Sequence, residues 1–335
     1  MKRAVRSRLK SNAPLLMTET GSGAQKRRRP GRSGSGRIRA FFLLMCAAVI
    51  VFWISAVQAE RPAEIGPHKL FYQLQGKGSP LVIIDVGAGE SFRSWTPIVA
   101  EIAKEATVLI YDRAGYGQSA PGPLPRDAKS EASDLWALLE KAALKGPFVL
   151  VGHSLGGLNM QVFGHDHPEA VAGMVLCDPP PRDWLEGGSF PKLRQLFMRT
   201  VDEFTRAAER AEQSNDPAER NRAPFLRTLS SEHKEMFGNT AKQVLSIPSF
   251  GRTRIIVIAA ARSNAAFGEE ADAFQKYWIE ESRKLSLLSS AGEFVLAERS
   301  GHQIHRDAPG LVLAAVKKLI GAAIKDIAKI KEKVR

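Results

Sequence analysis

The sequence predicts an α/β protein in which a mostly parallel sheet is covered by helices on both faces. Short runs that are almost entirely apolar, such as residues 81–85 and 254–259, indicate strands that are buried on both faces. Segments with the apolar spacing of amphipathic helices separate these runs, and this alternation is typical of parallel sheets. Residues 182–250 break the alternation, because they show helical spacing with no strand between. We therefore expect them to form an inserted helical cap.

The remaining elements can be assigned in chain order from the same two patterns. Residues 129–143 illustrate the helical pattern, since Leu135, Leu138 and Leu139 fall on one face of a helix. The further predicted strands cover residues 69–75, 106–111, 148–151, 172–177 and 293–297, and the further predicted helices cover residues 97–104, 158–164, 192–212, 224–245, 272–285 and 311–324.

The net charge of +13 is concentrated near the N-terminus. Residues 1–39 hold twelve Lys and Arg against the single acid Glu19, whereas the rest of the chain holds 36 basic and 34 acidic residues. A nucleic-acid-binding domain would carry its excess positive charge on the folded part of the chain. We therefore predict no nucleic-acid partner, and we expect residues 1–39 to be a disordered basic leader.

An uncharged apolar run of seventeen residues, 41–57, follows the leader. Its length lies between that of a signal-peptide core and that of a membrane span. Val57-Gln58-Ala59 fits a small-x-small cleavage site, and positive charge ahead of an apolar run places the N-terminus in the cytoplasm. We therefore predict that residues 40–59 engage the membrane or the export machinery as a signal peptide or an anchor. The domain formed by residues 60–335 would then be exported, or anchored outside the cytoplasm.

The segment Gly152-His153-Ser154-Leu155-Gly156 lies between a predicted strand and a predicted helix. A serine on a sharp strand-to-helix turn needs small residues two positions to either side, because the backbone folds back on itself there. The turn exposes the hydroxyl, and the helix N-terminus behind it favours developing negative charge. Ser154 is therefore the candidate nucleophile, and the backbone N–H of Leu155 is a candidate donor to an oxyanion.

Four segments form a set: Val86-Gly-Ala-Gly-Glu-Ser91, Tyr111-Asp-Arg-Ala-Gly-Tyr-Gly-Gln-Ser119, Gly152-His-Ser-Leu-Gly-Gly157 and Ser300-Gly-His302. Together they resemble the motifs of the α/β-hydrolase superfamily, in its capped branch of small-molecule hydrolases. The resemblance implies the α/β-hydrolase fold and a serine esterase-like activity on an ester, or a related acyl bond, of a small apolar molecule. It implies no metal and no organic cofactor.

The resemblance also implies the partners of the nucleophile. The superfamily has the chain order nucleophile, acid, histidine, which makes His302 the base and leaves His305 as the competing histidine. The second oxyanion donor is expected to be the backbone N–H of Ala88, in the glycine-rich segment after the strand at residues 81–85.

The triad acid is less clearly marked in the sequence. Ser263 and Asn264 occupy the place after the strand behind the cap where the superfamily most often carries its carboxylate. A second location known in the superfamily, at the end of the strand that follows the nucleophile unit, holds Asp178. We predict Asp178 as the acid, with Glu269 and Glu270 as the alternatives.

A non-catalytic ligand-binding or sensor protein on the same fold is the alternative function. The missing carboxylate at residues 263–264 favours it, whereas Ser154, His302 and the two glycine-rich turns favour catalysis. The sequence as a whole therefore predicts a serine hydrolase with a Ser-His-acid triad.

Overall fold

An eight-stranded sheet organises the part of the chain that the structure, a computed structural model, describes, which is residues 61–334. The predictions for residues 1–39, and those for residues 40–59, fall outside this range. No helix among residues 61–334 is both long enough and apolar enough to cross a membrane. The strands are β1 (Arg61–Glu64), β2 (Lys69–Gln75), β3 (Leu81–Asp85), β4 (Thr107–Tyr111), β5 (Phe148–His153), β6 (Val171–Cys177), β7 (Arg254–Ala260) and β8 (Gly292–Ala297).

The spatial order of the strands is β1-β2-β4-β3-β5-β6-β7-β8. The first two pair antiparallel with their neighbours, and the strands from β4 to β8 in this order are parallel. The predicted mostly parallel sheet is confirmed. Because these strands are parallel, the loops that follow β3, β5, β6, β7 and β8 all leave from the same end of the sheet, and residues of different loops can meet there.

Helices cover both faces of the sheet, as predicted. Strand β3 shows why, since Ile83 packs into one core while Val82 and Ile84 pack into the other. The first core is completed by α2 (Ala128–Lys141), α3 (Leu155–Asp166) and α8 (Ala271–Ser286), and the second by α1 (Thr96–Ile102) and α10 (Pro309–Val334). A short helix, α9 (Ile304–Asp307), precedes α10.

Four helices lie between β6 and β7, where the sequence predicts the cap. They are α4 (Arg182–Glu186), α5 (Pro191–Glu212), α6 (Pro217–Met236) and α7 (Asn239–Leu245). The expected start of a cap helix at residue 224 is wrong. Helix α6 begins at Pro217, where Asp216 accepts a hydrogen bond from the backbone N–H of Ala218, and it continues through Pro224. The buried side chains of Leu226 and Leu229 hold the helix together beyond the proline.

Two other elements differ from the expectation at the edges of the domain. Strand β1 has no counterpart in the predicted set, because only one of its four residues, Ala63, is buried and the apolar pattern is therefore too weak. Helix α10 extends beyond the predicted end at residue 324, because residues 325–333 consist mostly of strong helix formers such as Lys, Ala and Glu.

Candidate active site

Ser154 occupies a strained turn between β5 and α3. Its φ of 51° and ψ of −122° are unusual for a residue with a side chain, and its backbone N–H donates to the carbonyl of Cys177 at 3.0 Å. The flanking glycines are required by close backbone approach. A Cβ on Gly152 would lie 2.5 Å from the carbonyl oxygen of Gly156, and a Cβ on Gly156 would collide with the carbonyl oxygen of Asp85. The structure thus explains the small residues on both sides of Ser154.

Asp178 and His302 meet at the carboxyl ends of the parallel strands. Asp178 directly follows β6, and its Oδ2 accepts a hydrogen bond from His302 Nδ1 at 2.7 Å. Its Oδ1 accepts another from the backbone N–H of Ala260 at 2.9 Å, which fixes the orientation of the carboxylate. The Asp178 side chain is buried, whereas 38% of the His302 side chain is exposed toward the cavity described below.

The alternative carboxylates lie elsewhere. Glu269 and Glu270 belong to a 3-10 turn over Ala265–Glu270, where Glu269 is exposed and Glu270 is half-buried. The structure therefore brings Asp178 to His302 and leaves these two apart from the pair. The missing carboxylate at residues 263–264 was the feature in favour of a non-catalytic sensor. This absence no longer favours a sensor, because Asp178 at the end of the neighbouring strand β6 supplies a carboxylate to His302.

The environment of His302 favours its protonated form. Burial of the ring lowers the pKa of His302, but the hydrogen bond that Nδ1 donates to Asp178 and the negative charge of Asp178 outweigh burial, so the pKa lies above its ordinary value. Trp278 packs its ring edge-on against the imidazole, with centroids 5.9 Å apart. His302 is therefore both oriented and made more basic by its surroundings, which suits a residue that accepts a proton.

The loop after β3 holds the predicted oxyanion donor Ala88 between two tethered neighbours. The backbone N–H of Gly87 donates to Glu90 Oε2 at 2.8 Å, and that of Gly89 donates to the hydroxyl of Tyr116 at 2.9 Å. The N–H of Ala88 has no acceptor among residues 61–334, and Ala88 lines the same cavity as Ser154. Leu155 begins α3, so its N–H also lacks an intrahelical acceptor. Both backbone groups are thus free to bind a developing oxyanion.

A fully buried arginine, Arg113, ties this loop to the cap. Its guanidinium donates to the carbonyls of Val86 and Gly87 at 2.6 and 3.1 Å and pairs with Asp85 at 2.5 Å. It also pairs with Glu232 of α6 at 2.8 Å. Burial lowers the pKa of Arg113, but the charges of Glu232 and Asp85 outweigh it and raise the pKa. The guanidinium therefore stays charged.

Glu232 is the cap's contribution to this network, which the sequence did not reveal. Its second carboxylate oxygen accepts a hydrogen bond from Tyr116 at 2.5 Å, and Tyr116 in turn accepts from the N–H of Gly89. The carboxylate of Glu232 therefore binds both Arg113 and Tyr116, the two residues that contact the loop after β3. No pattern within residues 182–250 marks Glu232, because it is one of many charged residues on amphipathic helices.

We expect Glu232→Gln to lower the free energy of unfolding by about 3–5 kcal/mol, because it leaves a buried guanidinium without one of its two counter-charges. Chemical denaturation of the two proteins measures this. Glu219→Gln is the matched control on the same helix, since Glu219 is exposed, and it should change stability by no more than about 0.5 kcal/mol. Equal stability of the two variants would contradict the structural role of Glu232.

A second buried cluster lies behind His302. His153 Nδ1 contacts Glu90 Oε2 at 2.9 Å, and its Nε2 donates to the backbone carbonyl of His302 at 2.9 Å. Burial alone would raise the pKa of Glu90, but the hydrogen bond and charge of His153 lower it to about 2. His305 completes the cluster, stacked on Trp95 with ring centroids 4.4 Å apart. Burial and the charge of His153 lower the pKa of His305 to about 4, so His305 is neutral near pH 7.

Within residues 61–334, Glu90, His153 and His305 form the group whose spacing suits a metal ion, with ligand atoms within 4.8 Å of one another. Both nitrogens of His153 are already engaged by oxygen atoms, however. We interpret the cluster as a support for the His302 loop. His305, the competing base of the sequence analysis, lies in this cluster, and the structure places it away from Asp178.

Ser154, Leu155, Ala88, Asp178 and His302 all border one cavity of about 240 Å³. The cap and the loops around α8 supply its other walls. These walls are mainly apolar and aromatic, and their apolar members are Pro180, Trp184, Phe197, Met236, Phe267 and Trp278. The cavity therefore suits a small apolar molecule placed directly over the candidate nucleophile.

Comparison with known proteins agrees with this architecture. A family model described as the alpha/beta hydrolase fold matches residues 80–289, which is more than half of the chain. The chain therefore belongs to the α/β-hydrolase fold family, and the resemblance seen in the sequence is confirmed at that level. An uncharacterized protein of Bacillus subtilis, YqjL, is 26% identical over 242 residues, which cover 72% of this chain and 84% of the relative.

Solved structures show the same fold at low sequence identity. A thermophilic esterase from Thermogutta terrifontis is 19% identical with a TM-score of 0.57, and the match covers 80% of this chain and all of that one. A putative epoxide hydrolase from Pseudomonas aeruginosa is 19% identical with a TM-score of 0.60, over 80% of this chain and 97% of that one. These likenesses support the fold and do not select among hydrolase activities.

Proposed function

We propose that this α/β hydrolase is a serine hydrolase that cleaves a carboxylic ester, or a related acyl bond, of a small apolar substrate. The observation that carries the proposal is the 2.7 Å contact between Asp178 and His302 at a cavity that is also bordered by a serine on a strained turn. An oriented and basic imidazole is what a serine hydroxyl needs in order to act as a nucleophile.

The proposed reaction follows from the placement of these groups. Ser154 Oγ attacks the acyl carbon and His302 takes its proton, while Asp178 stabilises the imidazolium that forms. The backbone N–H groups of Leu155 and Ala88 stabilise the oxyanion. His302 then protonates the leaving alcohol, which leaves an acyl group on Ser154. Water, deprotonated by His302, releases the acid by the same steps.

The cavity supports the substrate class in the proposal. Its aromatic walls favour an apolar acyl or alcohol group, and its volume of about 240 Å³ favours a small one. The names of two structural neighbours, an esterase from Thermogutta terrifontis and an enol-lactonase from Burkholderia xenovorans, describe cleavage of esters and of cyclic esters. Because their sequence identity is under 20%, these likenesses show the fold, and the choice of acyl chemistry rests on the site itself.

Labelling of the full-length chain with a fluorophosphonate probe tests the proposal. An activated serine reacts covalently with such a probe, and peptide mass spectrometry should find the adduct on the peptide that contains Ser154. A panel of short-chain esters then measures turnover. A folded protein that neither reacts with the probe nor hydrolyses any ester would refute the serine hydrolase.

The raised pKa of His302 predicts the acid limb of the pH profile. His302 must be neutral to accept a proton, so kcat/KM should rise with pH, and its midpoint should lie above the ordinary pKa of histidine. Initial rates at low substrate concentration between pH 5 and pH 9 measure the midpoint. A midpoint below the ordinary value would mean that burial, rather than Asp178, dominates the environment of the base.

We also propose that the domain works outside the cytoplasm, either exported or anchored in the membrane. The basic leader, the apolar run at residues 41–57 and the small-x-small site ending at Ala59 support this. Fractionation of cells that express the full-length chain, followed by N-terminal sequencing, tests it. A mature chain that begins at Glu60 indicates export, an uncleaved chain in the membrane fraction indicates an anchor, and an uncleaved chain in the cytosol would contradict both.

A further inference from the structure

Most polar groups that border the cavity are already engaged by the protein itself. Arg262 pairs with Asp307 at 2.7 Å and is exposed at the rim. The side-chain amide of Gln275 donates to the carbonyl of Ala260 at 2.8 Å, and the amide oxygen of Asn264 accepts from a backbone N–H of its own turn. These three residues lie on loops and on α8. The cap contributes a polar residue of a different kind.

His233 of α6 is that residue. Its Nδ1 lies 2.8 Å from the carbonyl of Leu229, one turn earlier in the helix. A carbonyl oxygen only accepts hydrogen bonds, so Nδ1 carries the proton and Nε2 on the far edge of the ring has a free lone pair. Burial lowers the pKa of His233, so the ring is neutral near pH 7. Nε2 has no hydrogen bond to another group in residues 61–334.

The lone pair of His233 Nε2 belongs to a residue whose neighbours in the cavity wall are mainly apolar. The edge of the Phe204 ring packs against His233 at 5.3 Å between centroids, and Met236, one turn later, borders the same cavity. Trp184 and Phe197 supply neighbouring parts of the wall. An acceptor in an apolar wall loses its water when a substrate fills the cavity. It therefore penalises a substrate that offers it no donor.

We propose that the natural substrate carries a hydrogen-bond donor, a hydroxyl or an N–H, on an apolar ring-sized group, and that this donor binds His233 Nε2. The proposal rests on the serine hydrolase function, and it narrows the substrate class from a small apolar ester to an aryl or cycloalkyl ester with one donor. The aromatic side chains of Trp184, Phe197, Phe267 and Trp278 in the cavity walls suit a ring, because aromatic rings pair well in tilted and edge-to-face arrangements such as those that Trp184 and Phe197 already make with each other.

Pairs of methyl phenylacetates test this with the full-length chain. One member of each pair carries a hydroxyl at the ortho, meta or para position, and the other carries a methyl group at the same position. We expect kcat/KM for the hydroxyl ester to exceed that for its methyl partner by about 10- to 100-fold in at least one pair. His233→Phe keeps a ring against Phe204 and removes the acceptor, so this ratio should fall to near one. His233→Gln offers an amide oxygen close to the position of Nε2, so it should retain much of the preference.

The outcomes separate this inference from the function on which it rests. If the parent reacts with the fluorophosphonate probe but favours no hydroxyl ester, the donor proposal is overturned and the serine hydrolase stands. A preference that His233→Phe leaves unchanged, in a variant shown by circular dichroism to be folded, assigns the acceptor to another residue and also overturns the proposal. If turnover is too slow to measure, the paired phenylacetic acids compete against the probe, and equal protection by both members overturns it. A folded parent that neither reacts with the probe nor hydrolyses any ester refutes the hydrolase itself, and this inference with it.

Discussion

Ser154→Ala should lower kcat for the best ester substrate by at least about 10⁴-fold, since removal of a triad nucleophile costs that much or more in serine hydrolases. The expected loss is large because the Ser154 hydroxyl lies on a strained turn at the N-terminus of α3 and borders the same cavity as His302. Fluorophosphonate labelling should disappear completely. KM should change much less, since the cavity walls that bind the apolar group are untouched.

Ser263→Ala is the matched control for this experiment. Ser263 lies in the loop after β7, and its hydroxyl donates to Asp272 at 2.6 Å, away from the triad. Its removal should leave labelling and kcat within about twofold of the parent, as expected for a substitution away from the reacting groups. Circular dichroism and thermal unfolding establish that both variants are folded. Residual labelling of Ser154→Ala at the parent's rate would place the reactive serine elsewhere and refute the proposed mechanism.

The sheet could be predicted closely from the sequence because its central strands are almost entirely apolar. Strand β3 has the predicted bounds of residues 81–85, since all five of its residues are buried and glycine or proline breaks the pattern on either side. The same reasoning missed β1, in which only Ala63 is buried. A periodicity argument detects burial, so it fails at a sheet edge where there is little burial to detect.

The strained turn that carries Ser154 could also be predicted locally, because all its requirements lie within five residues. Gly152 and Gly156 are needed by the close approach of the backbone on either side of Ser154, and that need is visible in the sequence. The supporting groups could not be found in this way. Glu232 lies 119 residues from Arg113, and Glu90 lies 63 residues from His153. Contacts at such separations depend on how the strands and the cap are placed in space, and local patterns in the sequence do not reveal that placement.

The candidate triad acid shows most clearly that local sequence patterns do not reveal contacts between distant residues. The sequence offers Asp178, Glu269 and Glu270, and nothing local distinguishes them. In the structure, β6 lies beside β7, and β7 lies beside β8. Asp178 leaves the end of β6 and His302 follows the end of β8, so the two meet above the end of β7, where the Ala260 N–H also holds the carboxylate. Strand order therefore explains why Asp178, and neither of the two glutamates, contacts His302.

Asp178→Asn should lower kcat by about 10⁴-fold, the cost of replacing a triad aspartate by its amide. The amide oxygen can keep the hydrogen bond from the N–H of Ala260, so the fold should persist. The amide carries no charge to stabilise the imidazolium, however, and its NH₂ group would favour the wrong tautomer of His302. Because the hydrogen bond and charge of Asp178 also raise the pKa of His302, the acid limb of the residual activity should move to lower pH.

Glu269→Gln and Glu270→Gln are the matched controls. Each removes one carboxylate from the loop after β7 and leaves the contact between Asp178 and His302 intact. Both should keep kcat within about twofold of the parent. Steady-state kinetics of the three variants on one ester decides the assignment. If either glutamate variant lost activity to the extent expected of Asp178→Asn, the triad acid would come from the loop after β7 and would have to move to His302 on substrate binding. If only Asp178→Asn fails, with a shifted acid limb, the carboxylate acts on His302 both by orienting it and by its charge.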